Sequence, residues 1–326
     1  MAGRQMAVAG RQIAVTGRQI TVVGECVADA FVERDGARPG ELALRVLPGG
    51  GPANTAVALA RLGTPTRFVG RISADPFGAL FRAHLAGSGV DLTGTVTATE
   101  PSTLAVAALD DDGRAEYSFH AEATADWQWT GTELATARQD GSVCLHTGSL
   151  ALVREPGGPR IEDLLAAARP HTTVSVDPNV RPLLVDPDTY RQRLDRWCAL
   201  ADLLRLSEDD LHTLLPGTAP EDACDRWHAA GARLVVVTLA ERGALASLDG
   251  HRIRVPAPAT PVADTVGAGD AFTAGLLHSL AAQGHLGGRL DSLTPADLEH
   301  ACTFAARVAA RTVAVAGANP PWADEL

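Results

Sequence analysis

The chain has 326 residues, 46% hydrophobic and 21% charged, enough to bury a sizeable core as one large domain or two. Its 39 acidic residues outnumber 28 arginines and there is no lysine, so a lysine nucleophile or phosphate clamp is excluded. The net charge of −11 argues against a nucleic-acid partner. No apolar run approaches the about 18 residues a membrane helix needs, so no membrane partner is expected. Cys26, Cys144, Cys198, Cys224 and Cys302 contain no C-x-x-C pair, which fits a reducing cytoplasm and neither a zinc site nor a disulfide framework.

The chain opens on a repeat of period seven, with Gly-Arg-Gln starting at Gly3, Gly10 and Gly17. Glycine and β-branched residues make it a poor coiled coil. Residues 1–17 read as a dispensable extension before a domain over 18–326. Ile20-Thr-Val-Val23 is a short apolar run, the pattern of a buried first strand. Residues 31–48 alternate and are punctuated by Gly and Pro, which predicts strands. Pro48-Gly-Gly-Gly-Pro-Ala-Asn54 then enters a helix carrying Ala56, Leu59 and Leu62. Phe68-Val-Gly70 reads as another strand, and Asp110 to Gly113 as a hairpin turn between two alternating runs. Segments of about 31–48 and 102–121 therefore predict a small β-sheet lid on an α/β core.

From 143 to 248 strands alternate with helices, which predicts a mostly parallel sheet. Val174-Ser-Val-Asp177-Pro-Asn179-Val-Arg181 puts polar groups at a strand's C-terminal edge, where open sheets bind ligands. Ser207 followed by Glu208, Asp209 and Asp210 has the form of a capped helix start. A Pro-rich segment, 255–261, leads into Asp264-Thr-Val-Gly-Ala-Gly-Asp270, and Phe272, Leu276 and Leu280 repeat at helical spacing beyond it. Gly267 and Gly269 thus sit in a turn entering a helix N-terminus, a natural anion site. Two roles fit Asp270. It could complement the helix dipole, for about 0.3–1 kcal/mol, or serve as general base beside a bound phosphoryl group. Gly267-x-Gly269 lacks the third glycine of a dinucleotide fingerprint, and without lysine there is no Walker loop.

At Asp264 to Asp270 the chain resembles the ribokinase-type (PfkB) carbohydrate kinases, whose motif D-T-x-G-A-G-D is matched at every defined position. The resemblance extends over about 20–321 and implies a ribokinase-like three-layer α/β sandwich with a β-lid. It also implies that Gly267, Ala268 and Gly269 form the anion hole and that Asp270 is the base. Asp29 and the Gly49, Gly50 and Asn54 stretch are similar to the family's sugar-binding residues. Thr238 and Gly243 lie in its nucleotide segment, where Ala240 replaces a glycine; Asp264, Thr265 and Asn319 are further nucleotide candidates. The family's N-x-x-E region reads Ser207-x-x-Asp210, leaving Asp210 to hold Mg2+ through water. Ala125-Asp-Trp-Gln-Trp129 and the D-P-N-x-R-P run look like bacterial fructokinases, although Val315 stands where those tend to carry arginine. The implied activity is transfer of the γ-phosphoryl group of ATP to a sugar hydroxyl, fructose to fructose 6-phosphate, with Mg2+ and a monovalent cation such as K+. A homodimer through the lid is an accompanying expectation. Alternatives are a kinase for another sugar or a nucleoside, or a non-catalytic sugar- or nucleotide-binding regulator. A phosphosugar acceptor would need Arg71 or Arg181 as its clamp.

Overall fold

The computed structural model describes residues 18–33, 40–109, 115–135 and 141–326; the 1–17 repeat and the Asp110–Gly113 turn lie outside them. Ile20–Val23 (β1), Thr66–Val69 (β4), Cys144–Gly148 (β9), Thr173–Asp177 (β10), Leu203–Ser207 (β11) and Leu234–Thr238 (β12) form the parallel part of the main sheet. Ala244–Leu248 (β13) and His251–Val255 (β14) add an antiparallel edge, giving the order β14-β13-β12-β11-β10-β9-β1-β4. Asp249 and Gly250, both at positive φ, make the tight turn between that last pair.

The parallel strands read as near-continuous apolar runs because both faces are covered. Helices Gly51–Arg61 (α1), Pro76–Gly87 (α2), Ala268–Gln283 (α8) and Pro295–Val313 (α9) pack one side, where Leu59, Phe81, Leu276 and Leu298 meet Val22 and Val236. Gly157–Ala168 (α4), Pro187–Leu200 (α5), Glu208–Leu214 (α6) and Pro220–Ala230 (α7) pack the other, with Ile161, Trp197, Leu211 and Trp227 against Val176 and Val235. The result is three layers. A short helix, Gly131–Ala135 (α3), packs beside α4.

The second sheet comes from the two segments that interrupt this core. Val27–Glu33 (β2), Ala43–Gly49 (β3), Thr103–Leu109 (β7) and Ala115–His120 (β8) pair in the order β3-β2-β7-β8. One rung of that sheet aligns Leu47, Asp29, Ala105 and Phe119 across all four strands. Side chains in register share a face, so this rung is carried as a unit. A two-stranded piece, Arg71–Ser73 (β5) with Val96–Ala98 (β6), lies at the lid's base. There Arg71 is bonded to Ala125 O, Glu100 and Glu133.

Candidate active site

Strand order reverses between β1 and β9, and open α/β sheets bind ligands at the C-terminal strand ends around such a reversal. A cleft of about 480 Å3 lies there, between the main sheet's edge and the lid. Its walls come from the loops after β1, β9, β10, β11 and β12, from the lid rung, and from the turn that starts α8.

The α8 turn forms the floor. Gly267 is the helix N-cap in a left-handed conformation (φ 77°), which a side chain would strain. Asp264 holds the loop in shape: its Oδ1 accepts from Val266 N–H at 3.0 Å and its Oδ2 from Gly317 N–H at 2.8 Å. Its role in the fold is thus to tie the anion loop to the segment after α9. Thr265, Gly267, Ala268 and Gly269 all line the cleft.

Asp270 follows at once. Asn54 Nδ2, from α1, donates to Asp270 Oδ2 at 2.9 Å and so ties the start of α1 to the start of α8. Burial pushes the Asp270 carboxyl up to about 6; the Asn54 bond opposes that, Asp177 adds to it, and Arg181 and Arg205 oppose it. A carboxylate at such a value is ionised near neutrality yet basic enough to take a proton. Asp29 is likewise raised to about 6 by burial, with Arg181 pulling it back. Gly49 lies against it: a Cβ there would fall 2.1 Å from Asp29 Oδ2. Gly50 (φ 102°) turns the chain into α1 and lines the cleft. Asp29, Asn54 and Asp270 therefore surround one end of the cleft, with Phe119 and Ala105 as the apolar wall.

At the other end Ser207, Thr238 and Ala240 line the cleft together with Glu208 and Asp209. Ser207 and Asp210 form a reciprocal capping box on α6. Asp210 Oδ2 accepts from Ser207 N–H and Oγ at 3.0 and 2.7 Å, while its Oδ1 accepts from Val180 N–H at 2.8 Å. Both oxygens are thus already bonded within the protein. Ala240 stands at φ 50°, the left-handed region, where the family pattern has glycine. Gly243 closes the same turn by donating to Ala240 O, behind the cleft lining. Asn319 is also outside the lining; its Oδ1 accepts from Arg61 at 2.6 Å. Val315 is exposed. Of the two arginines considered as phosphate clamps, Arg181 lines the cleft and Arg71 does not.

Two cleft residues, Glu25 and Arg205, escaped the sequence reading, while Asn179 lies in the polar strand edge that it had marked. Glu25, nearly fully buried, has its carboxyl raised to about 8 by burial despite a hydrogen bond from Ser149, and its Oε2 accepts from Ala151 N–H at 3.2 Å. It bridges the loops after β1 and β9. Asn179 sits at φ 40°, its N–H donating to Asp177 Oδ1. Arg205 is buried in β11 beneath the α8 turn. A charged residue inside the apolar run Leu203 to Leu206 was the available signal, since buried arginines need partners.

The profile of the pfkB family carbohydrate kinases matches residues 18–325. A fructokinase of Klebsiella pneumoniae is 37% identical over 294 residues, 88% of this chain and 93% of that protein. The crystal structure of a fructokinase with bound ATP from Xylella fastidiosa superposes with a TM-score of 0.84 at 28% identity, covering 93% of this chain and 94% of that one. A Vibrio cholerae fructokinase double mutant, in fructose, ADP and potassium ion bound form, gives 0.79 at 27% identity over 93% and 94%. With a profile match over nearly its whole described length and the motif residues gathered in one cleft, the chain belongs to the pfkB family of carbohydrate kinases.

Proposed function

We propose that this protein transfers the γ-phosphoryl group of ATP to a hydroxyl of fructose, giving fructose 6-phosphate. The observation that carries the reading is the Asn54–Asp270 hydrogen bond, which sets a carboxylate of raised basicity beside the N-terminal turn of α8. Asp29, Asn54 and the Gly49-Gly50 backbone hold the sugar; Asp270 removes the proton from the attacking hydroxyl. The N–H groups of Gly267, Ala268 and Gly269 face the charge that builds on the transferred group. Thr238, Thr265, the loop shaped by Asp264 and the turn closed by Gly243 seat the nucleotide, while Asn319 acts at a distance by anchoring the tail to α1. Closure of the lid rung over the sugar excludes water and so suppresses ATP hydrolysis.

Among the described residues no three acidic, His or Cys side chains converge as a metal cage, and Asp210 is fully bonded. Such a donor set suits Mg2+ carried on nucleotide phosphates and reached through water, with Asp209 as a cleft carboxylate near it and Glu208 engaged by Arg242. When bound, the ion would neutralise phosphate charge. A K+ requirement is part of the proposal on the strength of the Vibrio protein and is checked by titrating K+ in the assay below. The lid sheet exposes Leu44 and Tyr117, which favours a homodimer through that sheet, readable by sizing with light scattering. Five buried free thiols among the described residues support a reducing, cytoplasmic setting.

The test is a coupled ADP-release screen across free hexoses, phosphosugars and nucleosides, with the product's phosphate position read by NMR. Fructose should give the highest kcat/KM. Preference for a nucleoside or a phosphosugar would overturn the substrate assignment, and the absence of turnover on every acceptor would overturn the kinase reading.

A further inference from the structure

Directly under the turn that begins α8 lies a guanidinium with no part in the scheme above. Arg205 leaves β11 on the same face as α8, and its side chain is 6% exposed. Nη1 donates to Asp177 Oδ2 at 2.8 Å and Nη2 to Thr238 Oγ1 at 2.7 Å. Its Nε is buried without a hydrogen-bond partner. A Cβ on Gly269 would fall 2.7 Å from Nη1, 2.8 Å from Nη2 and 3.1 Å from Cζ, so the planar group lies flat against the second glycine of the anion hole. We propose that Arg205 is a positioning residue for phosphoryl transfer: its buried guanidinium underlies the Gly267–Gly269 turn and holds it in place beside Asp270.

A purely structural ion pair is the competing account, and two observations weigh against it. A buried pair offers little net stability over an apolar filling, yet this one also carries an unpaired Nε, a further cost. Its partners are moreover drawn from the site: Thr238 at the nucleotide end, Gly269 in the anion hole and Asp177 at the strand edge. In a chain without lysine, Arg205 supplies beneath the phosphoryl seat a fixed charge that needs no reorganisation during reaction. The charged groups facing Asp270 are Asp177 from β10, Arg181 from the loop beyond it and Arg205 from β11; Asn54 of α1 is neutral. Asp177 raises the carboxyl and the two arginines lower it, so loss of Arg205 should make Asp270 harder to ionise.

This inference rests on the kinase reading, and the experiment separates the two. Wild type, Asp270→Asn, Arg205→Lys, Arg205→Met and the double variant Arg205→Met/Asp177→Asn are compared for kcat, both KM values, the pH profile of kcat and Tm. Arg205→Met should lower kcat about 100-fold, the scale of losing one preorganised donor, with much smaller changes in KM. Its acid limb should move to higher pH, by up to about one unit, and Arg205→Lys should restore most of the rate and the original limb. Arg205→Met strands Asp177 in the interior, so the double variant, with both charges removed, guards against a folding failure. It should keep a near-native Tm, a limb close to wild type because opposing influences on Asp270 cancel, and a low kcat. The inference is overturned if a folded Arg205→Met or the double variant turns over like wild type, or if Arg205→Lys loses as much as Arg205→Met with the limb unmoved. Turnover absent in wild type, or retained by Asp270→Asn, would instead sink the kinase reading.

Discussion

Two carboxylates at one end of the cleft have been made more basic by burial, and each is answered by different neighbours. Asp29 faces Arg181; Asp270 faces Asn54, Asp177 and two arginines. Because both values are raised to about 6, the ionised forms that the proposed mechanism requires exist above that pH and disappear below it. The profile of kcat/KM for fructose should therefore fall as pH drops through about 6, and a profile flat down to pH 4.5 would contradict the assignment. Asp29→Ala removes a charged acceptor from sugar hydroxyls and should weaken fructose binding by about 1.5–3 kcal/mol while ATP affinity stays near wild type. Calorimetry with each ligand distinguishes this from general damage, which would weaken both.

The elements that carry the site differ in how openly the chain encodes them. The glycine turn into α8 and its first-turn carboxylate were legible because a single contiguous stretch, Asp264 to Asp270, supplies glycines, helix start and carboxylate together. The parallel sheet and the lid were legible from apolar runs and alternation. Arg205 was not, because its meaning depends on β11 passing under α8, a contact no local pattern expresses. Asn319, read beside the nucleotide from the segment after α9, instead has its Oδ1 engaged by Arg61, a tertiary bond that the local sequence does not express. At Ser207 and Asp210 one pattern served two readings, and the capping box shows the structural one in place. Ala240 offers a stability test at this scale. An alanine held at φ 50° is strained, and glycine there removes that strain at some entropic cost. Ala240→Gly should raise Tm by about 1–3 °C, a gain of roughly 0.5–1 kcal/mol. A lower Tm would mean that the methyl group packs usefully.

Across the whole molecule, distant segments are stitched together by arginines. Arg61 joins α1 to the C-terminal tail, Arg71 joins the lid base to α3, and Arg289 meets buried Asp202 from the far end of the sheet. Arg18 belongs to this set: its Nη1 donates to Ala281 O at 2.9 Å and Ala282 O at 3.2 Å, capping the last turn of α8. Carbonyls at a helix C-terminus favour such a cation. A chain beginning at Arg18 should therefore melt within about 2 °C of the full-length protein, whereas one beginning at Gln19 should lose about 0.5–1 kcal/mol of stability. A loss of more than about 4 °C on removing residues 1–17 alone would show that the repeat packs on the fold.

The most direct test of the account is Asp270→Asn, which keeps the size of the side chain and an acceptor for Asn54 but removes the base. Sugar-dependent ADP release should fall by about 10²–10⁴-fold. ATP affinity by calorimetry should hold or rise slightly, because a negative charge has left a helix N-terminus that faces phosphate. A variant that turns over fructose at the wild-type rate would contradict the claim that Asp270 is the base.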